Sequence, residues 1–250
     1  MADKTLLISD LDGTLLGEDE ALVRFADWCQ TRRGQLVLAY SSGRFCESVM
    51  ESIRGTELPE PDFVVGGVGT QLRRFKDCVP IAEWENSPLE RWDQARIGTL
   101  LESLPELERQ PEQFQSARKI SYFFRDASTA DLMRVRDVLL DAGLRADLLY
   151  SSQRDLDIVP AGINKGSAAT FLAREVCPGC RRVIVAGDTG NDLMMFLQGF
   201  LGVVVANAHR ELKELAGERV YVSPYSHADG VLDGIRYWLR RRDAAISAVR

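Results

Sequence analysis

No stretch of the 250-residue sequence stays apolar over the roughly 18 residues that a membrane-spanning helix requires. The first residues, Met1-Ala2-Asp3-Lys4, lack the charged-then-apolar pattern of a secretory signal, so a cytoplasmic location without a membrane partner is expected. Histidine is scarce, with only His209 and His227, and the five cysteines are an odd number that argues against a disulfide framework. The one Cys-x-x-Cys spacing, Cys177-Pro178-Gly179-Cys180, has no second cysteine pair and no histidine near it in sequence. It also falls in a short helix-to-strand connection, so neither zinc nor a catalytic thiol pair is expected there. Positive charge is in deficit as well: a formal net charge of −6 excludes general attraction to nucleic acid or an anionic membrane, and any phosphate must be held locally. Arg236, Arg240, Arg241 and Arg242 read as one solvated face of a last helix. Repeats and low-complexity tracts are absent, whereas 45% apolar content over this length suffices for a sizeable core in one or two domains.

Chemistry is concentrated at the ends of predicted strands. Thr5-Leu6-Leu7-Ile8-Ser9 reads as a strand buried in a parallel sheet and runs into Asp10-Leu11-Asp12-Gly13-Thr14. In open α/β sheets ligands bind beyond the carboxyl ends of such strands, which puts Asp10 and Asp12 where a substrate would be. Gly13 allows a sharp turn and Thr14 is expected to hold it by a local hydrogen bond. A second strand, Leu36 to Tyr40, delivers Ser41-Ser42-Gly43-Arg44 to the start of a helix, a natural anion site. Arg44 is assigned to packing along that helix. Lys165, within Asn164-Lys165-Gly166-Ser167, opens a helical run from Ser167 to Val176 and offers a compact positive charge for a phosphate. A further strand, Arg182 to Ala186, ends in Gly187-Asp188-Thr189-Gly190-Asn191-Asp192. Carboxylates gathered at several strand ends suit a hard cation, commonly Mg2+ shared with a substrate phosphate.

Strand and helix alternate through residues 1–80 and again through 160–250, which predicts an α/β fold with one discontinuous, Rossmann-like parallel-sheet core. Residues 81–159 change character. Helices are expected over Leu89 to Leu104 and over Thr129 to Ala142, the latter behind a Ser128-x-x-Asp131 capping box, with strands at Lys119 to Phe124, Arg145 to Ser151 and Leu156 to Val159. That insert reads as a small α+β domain, too long and too structured for a loop.

In this order and with these flanks, the four segments resemble the haloacid dehalogenase superfamily of phosphotransferases, in the subgroup with a C2-type cap inserted after the second motif. Leu7-Ile8-Ser9-Asp10-Leu11-Asp12, Ala39-Tyr40, Val68-Gly69-Thr70, Lys119-Ile120-Ser121-Tyr122, Asp155-Leu156-Asp157 and Asn164-Lys165-Gly166 resemble the sucrose-phosphate phosphatase family in particular. Two positions depart from that family. Ser41-Ser42 replaces a small residue followed by Thr, which keeps the hydroxyl; Gln71 stands where Glu is usual and is expected to bear on the choice of sugar.

The resemblance implies a Mg2+-dependent phosphatase with Asp10 as nucleophile and Asp12 as general acid and base. Asp10, the backbone carbonyl of Asp12, and Asp188 would hold the metal, with Asp192 ligating through water or orienting the others. Ser42, Gly43, Lys165 and Asn191 would bind phosphate, and Lys119, Ser121, Asp155 and Asp157 of the cap would meet the sugar. The substrate implied is a phosphorylated disaccharide, sucrose 6-phosphate first and mannosylfructose phosphate second, with a cognate sugar-phosphate synthase as the protein partner. Two alternatives stay open: an isomerase similar to phosphomannomutases, and a catalytically silent sugar-phosphate-binding subunit of that synthase.

Overall fold

The structure, a computed structural model, describes residues 4–87 and 89–241. Its elements run β1 (Lys4–Ser9), α1 (Asp19–Gln30), β2 (Leu36–Ser41), α2 (Cys46–Gly55), β3 (Phe63–Gly66), β4 (Gln71–Arg74), α3 (Ala82–Glu85), α4 (Gln94–Leu101), β5 (Glu108–Arg109) and β6 (Ile120–Phe123). They continue with α5 (Thr129–Asp141), β7 (Ala146–Ser151), β8 (Asp155–Pro160), α6 (Lys165–Phe171), β9 (Cys180–Gly187), α7 (Leu193–Phe196), β10 (Leu201–Val204), α8 (Arg210–Lys213), β11 (Val220–Val222) and α9 (His227–Arg240).

Seven strands form one sheet in the order β11-β10-β9-β1-β2-β3-β4, parallel except for the edge strand β4. Leu6, Leu7 and Ile8 of β1 and Ile184, Val185 and Ala186 of β9 are fully buried, as strands covered on both faces must be. Register decides where the chemistry sits. Ser9 aligns with Tyr40 of β2 and with Ala186 of β9, so three strands finish level and Asp10, Ser42 and Asp188 emerge along one edge. The Asp10 amide completes this alignment by donating to the Ala186 carbonyl at 3.0 Å.

β4 escapes the sequence pattern because Gln71-Leu72-Arg73-Arg74 carries one apolar residue, as an exposed edge permits. The helix expected over Leu89 to Leu104 shrinks to α4. Arg91 sits at φ 55°, outside the helical region, and the Asp93 side chain accepts from the Arg96 amide at 3.0 Å, so the helix begins only after Asp93. At the other end of the chain Arg236 and Arg240 lie exposed on α9, but Arg241 follows the helix and stacks on Tyr237 and Trp238. Arg242 lies outside the described residues.

A second, antiparallel sheet has the order β5-β6-β8-β7. Its register sorts residues between two faces. Ile120, Tyr122, Leu148, Tyr150, Leu156 and Ile158 share the face packed on Ile97 of α4 and Val135 and Leu139 of α5. Ser121, Phe123, Leu149, Ser151, Asp155 and Asp157 share the other. The capping box expected at Ser128 and Asp131 is present.

The connection between β3 and β4 supports α6. Val68 takes a left-handed conformation at φ 53°, and Gly69 lies at φ 107° with its carbonyl accepting from Trp84 Nε1 at 2.9 Å. A Cβ on Gly69 would stand 2.4 Å from the backbone of Asn164 and 2.9 Å from the Lys165 amide. Gly69→Ala should therefore cost about 2 kcal/mol or more. For a chain of this size that is a fall in Tm of roughly 4–8 °C, measurable by calorimetry. An unchanged Tm would contradict the close approach.

Candidate active site

Four segments distant in sequence meet at the level edge of the parallel sheet. Lys165 Nζ lies 2.7 Å from Asp10 Oδ1, 2.7 Å from Asp192 Oδ1 and 3.0 Å from Asn191 Oδ1. Lys165 is placed there because Asn164 caps α6: its side chain accepts from the Ser167 amide at 2.9 Å while Ser167 Oγ accepts from the Asn164 amide at 3.0 Å. Asp192 is held from its other oxygen, which accepts from the Asp188 and Thr189 amides at 3.0 and 3.2 Å. Both Asp192 oxygens thus accept hydrogen bonds from groups of the chain. The Thr14 amide closes the local turn on the Leu11 carbonyl at 3.2 Å, while its Oγ1 donates to Asp188 Oδ1 at 3.1 Å and clamps the first segment to the last. Gly13, at φ 85°, lets that clamp form, since a Cβ there would lie 2.4 Å from Asp188 Oδ2.

Asp10, Asp188, Asp192 and Lys165 are all buried, and the three carboxylates have oxygens within 4.8 Å of one another. Burial, then the charge of Asp192, pushes the Asp10 carboxyl up to about 7 against the pull of Lys165. Burial and the charge of Asp10 push Asp188 up to about 6, and burial raises Asp192 too. Although burial alone would lower it, Asp10 and Asp192 hold the Lys165 ammonium above its ordinary range. Three buried carboxylates around one ammonium leave an excess of negative charge, and an all-oxygen donor set of this kind fits a hard divalent cation.

The remaining predicted residues fall into two groups, one beside this centre and one on the second sheet. Asp12 projects outward, and Arg44 Nε lies 2.9 Å from its Oδ2. Arg44 thus does more than pack: Nη1 donates to Ser52 Oγ of α2 at 2.8 Å while Nε engages Asp12. Ser42 is buried, its Oγ accepting from the Arg44 amide at 3.1 Å and keeping its own proton to donate. Gly43 lies beside Asn191, whose Nδ2 would be 3.8 Å from a Cβ at that position. On the second sheet, Asp157 Oδ1 accepts from Ser121 Oγ at 2.5 Å and pairs with Lys119 Nζ at 3.1 Å. Lys119 Nζ also sits 4.9 Å from the centre of the Phe45 ring, next in sequence to Arg44. Asp155 stands apart, engaged by Arg154 and Gln110. Sequence reasoning missed Asn207 and His227, which both engage the Gly13 carbonyl, at 2.7 and 3.2 Å. No motif signals them, because contact with a backbone carbonyl demands no particular residue type.

Residues 3–239 match the family described as sucrose-6F-phosphate phosphohydrolase. The chain belongs to that family. It is 37% identical to a mannosylfructose-phosphate phosphatase of Agrobacterium fabrum, over 93% of this chain and 96% of that protein. It is 34% identical, over 80% of its length, to 26% of a glucosylglycerol-phosphate synthase of Pseudomonas anguilliseptica. Sucrose-phosphatase 2 of Nicotiana tabacum is 30% identical over 84% of this chain, which spans about half (52%) of that longer protein. The crystal structure of a Synechocystis sucrose-phosphatase, titled as a complex with sucrose and phosphate, has a TM-score of 0.86 at 30% identity, covering 94% of this chain and 98% of that one.

Gln71, the position expected to bear on the choice of sugar, also has a partner within the chain. Gln71 Oε1 accepts from the Cys46 amide at 2.8 Å, capping α2, whose preceding residue Phe45 supplies no side-chain cap. Its side-chain carbonyl therefore helps to start α2.

The raised carboxyls have a sign that solution measurements can check. Asp10 and Asp188, at about 7 and 6, keep their protons to higher pH folded than unfolded. Between the ordinary carboxylate range and those values the folded state binds more protons, so this contribution to stability falls as pH rises. In chelator, the Tm of Asp188→Asn relative to the unsubstituted chain should increase from about pH 4 to about pH 6 and level off above that. A difference independent of pH would contradict the raised Asp188 value.

Proposed function

We propose that this protein is a Mg2+-dependent phosphatase of a phosphorylated non-reducing disaccharide, sucrose 6-phosphate or mannosylfructose phosphate, acting through an aspartyl-phosphate. The observation that carries this reading is the convergence of buried Asp10, Asp188, Asp192 and Lys165 at one sheet edge. Its agreement with the phosphatase relatives supports it further.

Hydrolysis of a phosphate monoester by water alone is among the slowest of reactions, so a catalyst must neutralise charge and position the attacking group. Asp10, fixed by Lys165, attacks phosphorus as the bond to the sugar oxygen breaks, and Asp12 gives that oxygen its proton. Water then attacks phosphorus of the aspartyl-phosphate, loses its proton to Asp12 and releases phosphate, which restores the Asp10 carboxylate. Arg44 aims Asp12 throughout. Ser42, the amide of Gly43, Asn191 and Lys165 take the non-bridging oxygens. Asp10, the Asp12 carbonyl and Asp188 would hold Mg2+, oriented by Asp192; when bound, the ion supplies positive charge to the phosphoryl oxygens.

Residues 1–80 and 160–250 form the catalytic core in this reading and 81–159 the cap. The sheet face bearing Ser121 and Asp157, with Lys119 beside them, addresses the sugar, and Asp155 extends that face with its charge already paired. The similarity of this chain to part of a sugar-phosphate synthase supports a functional link to such an enzyme, which supplies the substrate and is the proposed partner.

Three measurements test the reading. Asp10→Asn should keep the native circular dichroism spectrum and lose nearly all phosphate release, because an amide is a far weaker nucleophile. Chelator should abolish release and Mg2+ restore it, with Ca2+ restoring little. Lys119→Ala and Asp157→Ala should lower kcat/KM for the disaccharide phosphate by about tenfold or more, on a cost of roughly 1–3 kcal/mol per lost specific hydrogen bond. Both should hydrolyse para-nitrophenyl phosphate nearly as before. Equal losses on the two substrates would remove these residues from sugar recognition.

A further inference from the structure

Away from the candidate active site, Cys177 and Cys180 form a paired nucleophilic cluster that the phosphatase reading leaves unused. A π turn over Leu172–Val176 prolongs α6, Cys177 follows it, and Cys180 opens β9. The Cys180 amide donates to the Cys177 carbonyl at 3.0 Å, closing a turn through Pro178 and Gly179. Such a turn holds its first and fourth Cα atoms within about 7 Å, which overlaps the separation a disulfide bridges.

The other cysteines differ. Cys29 and Cys46 are buried, and burial pushes each thiol up to about 12, which leaves them inert. Cys78 is exposed, and the sulfur it meets is the thioether of Met50. Cys177 and Cys180 are both half-buried, at the two ends of this turn. Interaction between the two thiols raises Cys177 and lowers Cys180. The Lys4 ammonium adds to the lowering, while burial and Asp62 oppose it. Lys4 is there because it is the register partner of Cys180 across β1 and β9.

We propose that Cys177 and Cys180 are a thiol–disulfide exchange site for small disulfides of the glutathione class, with Cys180 attacking and Cys177 resolving. The Cys180 thiolate attacks one sulfur of oxidised glutathione, forming a mixed disulfide and expelling one glutathione thiolate. Deprotonated Cys177 then attacks Cys180 Sγ, forms the Cys177–Cys180 disulfide and expels the second. Two protein thiols are oxidised, one glutathione disulfide is reduced to two thiols, and the two protons lost by the protein pass to the products. The site lies at the start of β9 and Asp188 just past its end, roughly 23 Å along an extended strand. Exchange here is therefore separate from the phosphatase reading and does not depend on it.

The test uses the full chain, reduced and then exposed to oxidised glutathione near neutral pH, quenched in acid, alkylated and mapped by peptide mass spectrometry. The unsubstituted chain should yield a peptide in which Cys177 and Cys180 have lost two hydrogens and resist alkylation. Cys177→Ser, which has no thiol to resolve a mixed disulfide, should accumulate a glutathione adduct on Cys180. That adduct should form at least about tenfold faster than the one on Cys177 in Cys180→Ser. Free alkylation of both residues would overturn the proposal, as would a stable mixed disulfide in the unsubstituted chain or equal adduct rates in the two variants.

Discussion

One buried ammonium organises the site. Lys165 Nζ has three protons to donate and three acceptors at hydrogen-bond distance, on Asp10, Asn191 and Asp192. Each acceptor comes from an end of β1 or β9, and the ammonium comes from the start of α6, so a single group fixes three segments relative to one another. Its charge is also insufficient. Among the described residues, Thr14 is the side chain that donates to Asp188, and the surplus of carboxylates keeps the centre receptive to positive charge. With its donors committed, Lys165 meets a phosphate only by giving up part of one of these bonds. In the proposed function, substrate binding is therefore coupled to loosening one of the bonds from Lys165 to Asp10, Asn191 or Asp192.

Precision at this point is inherited from the parallel sheet. Level ends of β1, β2 and β9 place Asp10, Ser42 and Asp188 without any further device, and Thr14 and the glycine at position 13 close the first segment over the last. Outside the sheet, the loop that contains left-handed Val68 and Gly69 braces the start of α6, while Asn207 and His227 brace the Gly13 carbonyl from the opposite side. Strain at Val68 fits a position over-determined by its surroundings, as sites that hold a fixed geometry often require. The second sheet presents a polar face through strict alternation, and Lys119 over the Phe45 ring joins that face to the segment carrying Arg44.

Much of this was legible in the sequence because parallel strands advertise themselves. Buried apolar runs ending in Asp10, Ser42 and Asp188 identify both the sheet and the edge that bears the chemistry, and Lys165 is legible at the opening of the helical run that forms α6. What stayed hidden depends on contacts between segments. Thr14 reaching Asp188, Gln71 capping α2 and Arg44 engaging Asp12 join residues whose spacing in the chain has no periodicity to read. Edge strand β4 and the late start of α4 were hidden for another reason: one lacks alternating apolar residues, and the other is set by the backbone at Arg91 and the cap at Asp93.

The claim on which the functional account turns is that Asp10 itself receives the phosphoryl group. Rapid acid quenching during turnover of a disaccharide phosphate, followed by borohydride reduction and peptide mapping, reads this directly, because an acyl phosphate is reduced where a free carboxylate is not. The account expects residue 10 to be converted to homoserine in a substrate-dependent manner, with no other aspartate changed. Normal phosphate release with no conversion at residue 10, or conversion at Asp12, Asp188 or Asp192 instead, would contradict it.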